Sequence, residues 1–315
     1  MNGEPGSERG RLHRAARSVR SGLRRYPRAI AESVLSRPGA PSLGVAEFLH
    51  HLAPHDLAAS WLGHSGVVCQ IGDTVVAVDP VLSDRIGLRI GKKTIGPARQ
   101  APSPVTPEAL RGVDLVLITH AHFDHLDRPT LEAMADARTE VVVPRSCGRL
   151  IPAGFAKVTE LHAGRAELRK GVEITAIEPR HWGARVGVDR HRAVNSYVVR
   201  AAGSSVLFAG DTAMTDVFDR KGPNDSTGRV DLAVFGIGAY DPWEHMHATP
   251  EQVWAMFCAS GARFLMPVHH STFELSDEPI DEPMRRLLDS AGKERPRVLD
   301  TAPGDVVVVD AVGDA

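Results

Sequence analysis

Directly after the apolar run Asp114–Ile118 the chain reads Thr119-His120-Ala121-His122-Phe123-Asp124-His125-Leu126-Asp127, three imidazoles and a carboxylate within six residues. In extended backbone alternate side chains share a face, so His120 and His122 can grip one ion together. If the chain then turns, Asp124 and His125 point elsewhere and can serve a second ion. Imidazole and carboxylate without thiolate favour Zn, Fe or Mn over a structural four-cysteine site. One loop cannot close a catalytic metal centre, so the fold must bring other strand ends to the same place. The candidates stand in that setting: His181 follows the run Val172–Ile177 through Glu178-Pro179-Arg180, Asp211 follows Val206–Ala209 through Gly210, and His269 and His270 follow Phe264–Met266.

The rest of the chain supplies strands for such an arrangement. Short β-rich runs begin near Ala58: Ala59–Leu62, Val67–Ile71 and, after a Gly72-Asp73 turn, Thr74–Asp79, a hairpin pattern. Further runs are Leu115–Thr119, Glu140–Val143, Val172–Ile177, Ala193–Arg200, Ser205–Ala209, Leu232–Phe235, Phe264–Pro267 and Val306–Val309. Helical patterns fall at Pro129–Ala137, Thr249–Ser260 and Glu282–Ser290. The second has a full start signal, with Thr249 as N-cap, Pro250 at the first helical position and Gln252 placed for a capping box. Mixed strands and helices over this length suit two packed sheets with outer helices, or one doubly wound sheet. Periodicity alone does not choose.

Charge separates the chain into two parts. Residues 1–37 hold nine arginines against three glutamates, which makes that segment +6 in a chain of formal charge −2, so the remainder carries −8. That near-neutral total argues against a generally nucleic-acid-seeking surface. From Arg11 to about Leu35, Leu12, Ala15, Ala16, Val19, Leu23, Ile30 and Val34 recur at three- and four-residue spacings. The segment reads either as a basic amphipathic helix that adheres to an anionic membrane surface, or as a solvated arm interrupted by Gly22 and Pro27. Residues 36–45 read as linker, so the expected organisation is an arm and linker over 1–45 and a catalytic domain over 46–315. Three well-separated cysteines, Cys69, Cys147 and Cys258, argue against a disulfide framework and for a reducing compartment. There is no secretory h-region, and no apolar run approaches the roughly 18 residues of a membrane span. The expected location is cytoplasmic, with peripheral contact at the inner face of the membrane as an option for the arm.

The block His120 to His125 matches H-x-H-x-D-H, and in it the chain resembles the metallo-β-lactamase superfamily of αββα metallohydrolases: an α/β sandwich of two mixed β-sheets with helices on the outer faces. By that resemblance His120, His122 and His181 hold one metal. Asp124, His125 and a C-terminal histidine hold a second, Asp211 bridges both, and a hydroxide between two Zn2+ ions (Fe or Mn as alternatives) is the nucleophile. Over about residues 58–280 the chain is similar to the N-acylphosphatidylethanolamine-hydrolysing phospholipase D group. The carriers are Trp61-Leu62-Gly63-His64-Ser65, Val78-Asp79-Pro80-Val81-Leu82-Ser83, His181-Trp182, Phe208-Ala209-Gly210-Asp211-Thr212, Gly236-Ile237-Gly238-Ala239-Tyr240, His247-Ala248-Thr249-Pro250-Glu251 and His269-His270-Ser271-Thr272-Phe273. The family's final block, His-Trp-Gly-Thr-Phe, aligns its metal-binding histidine with His269 and leaves His270 as second choice. His270, Ser271 and Gly66 depart from the group's pattern.

The resemblance implies a zinc-dependent phosphodiesterase of the phospholipase D type acting on N-acylated phosphatidylethanolamine or a related phosphodiester. Asp124 ligates and orients the nucleophile, and His247 transfers a proton or binds the developing oxyanion. Asp79 and Asp127 are candidates to fix imidazole tautomers, Asp127 equally an N-cap. His64 is a candidate for the cleft rim, and Trp182, Tyr240 and Trp243 for an apolar wall. The alternative is a lactonase-type metallohydrolase of a soluble small molecule. An iron oxidoreductase is less suited, because diiron relatives typically carry Glu at the place of His122. The likeness to antibiotic-hydrolysing members stops at the metal motif, and no ligand is missing as it would be in a module that had lost catalysis.

Overall fold

The computed structural model describes residues 55–91, 93–220 and 229–309, together with Arg17, Arg20, Ser21, Pro27, Leu49 and Leu52. Its strands are β1 (Leu57–Trp61), β2 (Val67–Ile71), β3 (Thr74–Val78), β4 (Leu88–Ile90), β5 (Lys93–Ile95), β6 (Leu115–Leu117), β7 (Glu140–Pro144), β8 (Lys157–Leu161), β9 (Ala166–Arg169), β10 (Val172–Ile177), β11 (Ser196–Ala201), β12 (Ser204–Phe208), β13 (Leu232–Gly236), β14 (Phe264–Val268) and β15 (Val306–Val308). The described α-helices are α1 (Arg128–Met134), α2 (Pro250–Ser260) and α3 (Glu282–Ala291). One mixed sheet has seven strands in the order β15-β1-β2-β3-β6-β7-β8, and a second has six in the order β14-β13-β12-β11-β10-β9. β4 and β5 pair as a separate ribbon.

Side-chain alternation explains why the two sheets face each other. In β1, β2 and β6, Leu57, Ala59, Trp61, Val67, Cys69, Ile71, Leu115 and Leu117 point one way. They meet Ile174, Ala176, Tyr197, Val199, Val206, Phe208, Val234 and Met266 of the other sheet. The intervening residues Ala58, Val68, Ala77 and Val116 point outward, under Leu131 and Met134 of α1. On the far side Val198, Leu207, Ala233, Phe235 and Leu265 pack against Val253, Met256 and Phe257 of α2 and Leu287 of α3. Both faces of the central strands are therefore apolar, as in strands covered on both sides. The outcome is the αββα sandwich and not a single doubly wound sheet.

Strand direction places the chemistry. β1 and β3 are both antiparallel to β2, and β3, β6, β7 and β8 are parallel neighbours. In the second sheet β12, β13 and β14 are parallel, while β10 and β12 are both antiparallel to β11. Within each sheet, then, the loops after the codirectional strands leave from one end. The sheets are joined there, where Asn195 N donates to Thr119 O at 2.9 Å and Tyr197 OH to Ile118 O at 2.8 Å.

The expected strands all form, with shifted ends. The Ala193–Arg200 run becomes strand only from Ser196, because Asn195 is spent on the sheet junction and on Leu161 O. β8 and β9 carry no sequence expectation; they are sheet edges whose exposed Lys157, Glu160 and Ala166 break the apolar pattern, as edges do. β4 and β5 are short and largely exposed. α1 ends at Met134 and not Ala137, since Ala135 turns extended and the Asp136 carboxylate accepts from Arg138 N at 2.9 Å. The arm and linker over 1–45 lie outside the described residues apart from isolated positions, of which Arg17 donates to Asp241 Oδ1 at 2.5 Å and Ser21 to Asp277 Oδ1 at 3.1 Å. No described helix is long and apolar enough to cross a membrane. All three cysteines are free, Cys69 and Cys147 buried and Cys258 exposed.

α2 begins as its sequence signals. Gln252 N donates to Thr249 Oγ1 at 3.4 Å, Thr249 N donates to Gln252 Oε1 at 3.1 Å, and Gly261 at φ 67° ends the helix. Thr249→Ala is expected to remove about 1 kcal/mol of stability, seen as a lower urea midpoint with an unchanged slope.

Candidate metal centre

The strand ends deliver each polar side chain to one buried patch. Val78 is in register with Leu117, so Asp79 lies beside Thr119, and its carboxylate accepts from Thr119 N at 2.7 Å and Thr119 Oγ1 at 2.5 Å. His64 follows β1, His120 to His125 follow β6, His181 follows β10, Asp211 follows β12, His247 lies between β13 and α2, and His269 follows β14. His64, Asp79 and His269 have φ of 53°, 43° and 62°. Left-handed backbone costs a non-glycine residue roughly 1–2 kcal/mol, and it persists where surrounding contacts over-determine it. One such contact is close backbone approach: a Cβ on Gly238 would stand 2.2 Å from His269 O.

Two donor sets result. His120 Nε2, His122 Nδ1, His181 Nε2 and an oxygen of Asp211 lie within 4.8 Å of one another. The separations are 2.8 Å for His120–His122, 3.3 Å for His122–His181, and 3.6 and 3.7 Å from Asp211 Oδ2 to His120 and His181. The second set gathers His64, Asp124, His125 and His269 within 4.8 Å of one another, with Asp124 Oδ2 3.0 Å from His64 Nε2, 3.2 Å from His269 Nε2 and 3.9 Å from His125 Nε2. Asp211 reaches that set too, with Oδ2 at 3.1 Å from His125 Nε2 and Oδ1 at 3.4 Å from His269 Nε2. Donors held at roughly 2.0–2.2 Å from one tetrahedral ion lie about 3.3–3.6 Å apart, so both sets have the size of an ion site and share one carboxylate.

The outer hydrogen bonds orient these donors. His125 Nδ1 donates to Asp79 Oδ2 at 2.7 Å, His181 Nδ1 to Met246 O at 3.0 Å, and His120 Nδ1 to Thr119 Oγ1 at 3.0 Å. In the neutral rings each bond leaves the inward nitrogen as a lone pair, the arrangement that metal-binding histidines share. His125 Nε2 and Asp211 Oδ2 are buried without any hydrogen-bond partner, a costly state that cation binding relieves.

Electrostatics asks for positive charge in the same spot. Burial pushes Asp211 and Asp124 up, but the surrounding imidazoles outweigh it and hold both carboxyls well below the usual range. Burial pushes His125 down, and Asp211, Asp79 and Asp124 overcome it, raising the ring well above its ordinary value. A proton on His125 thus stands where the site calls for a cation. The donor set fits divalent metal.

The cleft above the centre has a volume of about 710 Å³ and is lined by His122, Asp124, His181, Asp211 and His247, with Trp182, Trp243, Met246, Leu275 and Arg190 among its walls. His247 Nδ1 is 3.9 Å from Asp211 Oδ2, and burial pushes its imidazole down to about 4, so the ring is neutral at pH 7. His270 turns away and stacks on Trp61 at 4.7 Å, leaving His269 as the donor at that strand end.

Three expectations need correction. His64 is not on the rim but fully buried, with Nε2 3.0 Å from Asp124 Oδ2. Asp127 fixes no imidazole; it occupies the N-cap position of α1 without a side-chain cap and accepts instead from Ser83 Oγ and Thr130 Oγ1 at 2.6 and 2.5 Å. Tyr240 is buried away from the cleft and donates to Glu282 at 2.8 Å, while Trp182 and Trp243 do form wall. Sequence reading missed Thr119 and Arg190. Thr119 is signalled only by its place between β6 and the histidines, and nothing local marks Arg190.

Comparison with known proteins agrees with the fold. Residues 74–270 match the family model described as beta-lactamase superfamily domain. The chain is 32% identical over 286 residues to an uncharacterized protein of Mycobacterium tuberculosis, covering 88% of this chain and 76% of that protein. It is 28% identical over 255 residues to N-acyl-phosphatidylethanolamine-hydrolyzing phospholipase D 1 of Caenorhabditis elegans, covering 74% and 70%. Isothiocyanate hydrolase from Delia radicum gut bacteria superposes with a TM-score of 0.61 at 18% identity, covering 79% of this chain and 98% of that one, which speaks for the fold alone. The chain belongs to the metallo-β-lactamase superfamily and is a metal-dependent hydrolase.

Because Asp211 faces both donor sets, Asp211→Asn is expected to lower metal content from two ions per chain to below one after gel filtration, read by elemental analysis. His269→Ala is expected to lose one ion and His270→Ala none. Equal losses at 269 and 270 would move the donor.

Proposed function

We propose that the chain is a zinc-dependent phosphodiesterase of the phospholipase D type, acting on N-acylated phosphatidylethanolamine or a related phosphodiester. The observation that carries this reading is the pair of donor sets sharing Asp211 at the floor of a cleft walled by Trp182, Trp243, Met246 and Leu275. Likeness to the nematode enzyme supports the same chemistry. His120, His122, His181 and Asp211 would hold one ion, and Asp124, His125, His269 and Asp211 the other. Two divalent cations, when bound, supply Lewis acidity at a phosphoryl oxygen and a lowered pKa for water.

The chain's own groups do the rest. Asp79, Thr119 and the Met246 carbonyl keep the imidazoles in one tautomer. Asp124, at the cleft floor, orients the attacking water. In the overall step the water oxygen bonds to phosphorus, the bond from phosphorus to the N-acylethanolamine oxygen breaks, and a proton passes to that leaving oxygen. His247 is neutral and faces the cleft, so its N–H stabilises charge on the leaving oxygen. Trp182 and Trp243 give apolar area for acyl chains, and Arg190 gives a cation for phosphate. The +6 arm supports peripheral contact with an anionic membrane face.

The test compares the Zn-loaded protein on N-acylated phosphatidylethanolamine in mixed micelles and on a soluble bis-aryl phosphodiester, with Asp211→Asn as control. Release of phosphatidic acid is the expected result. Cleavage of the soluble diester alone removes the lipid, and cleavage of neither by fully metallated protein turns the reading to the lactonase-type alternative. His247→Ala is expected to lower kcat by about 10²-fold with KM within about threefold. Deleting residues 1–37 is expected to weaken binding to anionic vesicles, most at low salt, with turnover of the soluble diester unchanged.

A further inference from the structure

His64 touches both halves of the second donor set. Its ring reaches the Asp124 carboxylate, Nε2 to Oδ2 at 3.0 Å, and its carbonyl accepts from His269 N at 2.8 Å. The same carbonyl accepts from Trp61 Nε1 at 2.7 Å, and His64 N donates to Thr272 Oγ1 at 2.7 Å. The ring packs 4.1 Å from that of His269 and edge-on to Phe273 at 5.1 Å. Apart from the bond to Trp61 at the end of β1, these contacts run to the Asp124 loop or to the segment around His269, and none to the set of His120, His122 and His181. The residue keeps a left-handed φ of 53° to do so.

The ring's hydrogen can be placed from its partners. His64 Nδ1 is buried with no hydrogen-bond partner, and Asp124 Oδ2 only accepts. The N–H therefore sits on Nε2 and points at the carboxylate oxygen that faces His125 and His269. His64 lies within 4.8 Å of Asp124, His125 and His269, but its Nε2 is taken up by the Asp124 carboxylate, and those three residues with Asp211 make a four-coordinate set, which leaves His64 the outer role of holding one of them.

We propose that His64 is a positioning residue for the second ion site: its Nε2–H fixes the Asp124 carboxylate while its carbonyl fixes the His269 backbone, so two donors from opposite sheets are held in one geometry. This rests on the reading of the cluster as a two-ion centre and adds a residue to it.

Two amide replacements separate the ring's hydrogen bond from the backbone. In His64→Gln the side-chain nitrogen falls where Nε2 stood; in His64→Asn it falls where Nδ1 stood. Asn is better suited to left-handed backbone, so a merely structural role predicts that Asn is tolerated better than Gln. Positioning predicts the reverse. The experiment titrates the metal-free full-length protein and the Gln, Asn and Ala variants with Zn2+ by calorimetry against a competing chelator, alongside thermal melts of the metal-free forms. The first ion is expected to bind equally in all four. The second is expected to weaken 10- to 100-fold in Ala and Asn, and to return to within about threefold of the parent in Gln. Loss in Gln equal to or beyond that in Asn overturns the proposal, as does unchanged second-ion binding in Ala. Should Ala fail to fold, the Gln and Asn pair decides alone. Failure of the unsubstituted protein to take two ions would instead overturn the two-ion centre, and no turnover assay enters the outcome.

Discussion

The structure depends on one buried carboxylate placed between two groups of imidazoles. Asp211 is 3% exposed, and its Oδ2 has no hydrogen-bond donor. An isolated anion in that position is prohibitive, and here it is surrounded by His120, His125, His181, His247 and His269 at 3.1–3.9 Å. The rings cannot crowd so closely if several are charged, and the carboxylate cannot stay ionised if none are. A divalent cation on each side resolves both demands. The sandwich, with loops leaving each sheet at the same end, is the device that assembles this arrangement from separate strands.

Much of this was legible from residues alone. The spacing after β6 separates His120 and His122 from Asp124 and His125, and the structure sends those pairs to different donor sets. The repeated pattern of an apolar run followed by His or Asp marked the remaining strand ends. What alternation could not show was the choice between a sandwich and a doubly wound sheet. Residues such as Val67 and Val68 are buried on opposite faces, against the other sheet and beneath α1, so the run reads as uniformly apolar either way. The edge strands β8 and β9 were silent because their exposed charges erase the pattern.

His64 and Asp127 show how the surroundings of the centre escape sequence reading. His64 follows a glycine and Asp127 precedes a helix start, and both had a bland explanation available. Asp127 sits at the N-cap position of α1 without capping it and ties Ser83 and Thr130 instead. His64 is not a plain turn residue, because the chain direction of β1 carries it beneath Asp124 and against the β14 end. Only the pairing of strands distant in sequence separates the two cases. Tyr240 and Trp243 differ in the same way, one anchored to Glu282 inside the fold and one on the cleft wall.

The order in which strands enter the two sheets bears on how such a protein is made. Donors come from His120 near the middle of the chain to His269 beyond β14, and β14 pairs with β13 at the sheet's outer edge. β15, which pairs with β1 at the opposite edge, follows later still in the chain. The second donor set therefore closes only when β14 has paired with β13, so completing the centre is a late event in the folding of the sandwich.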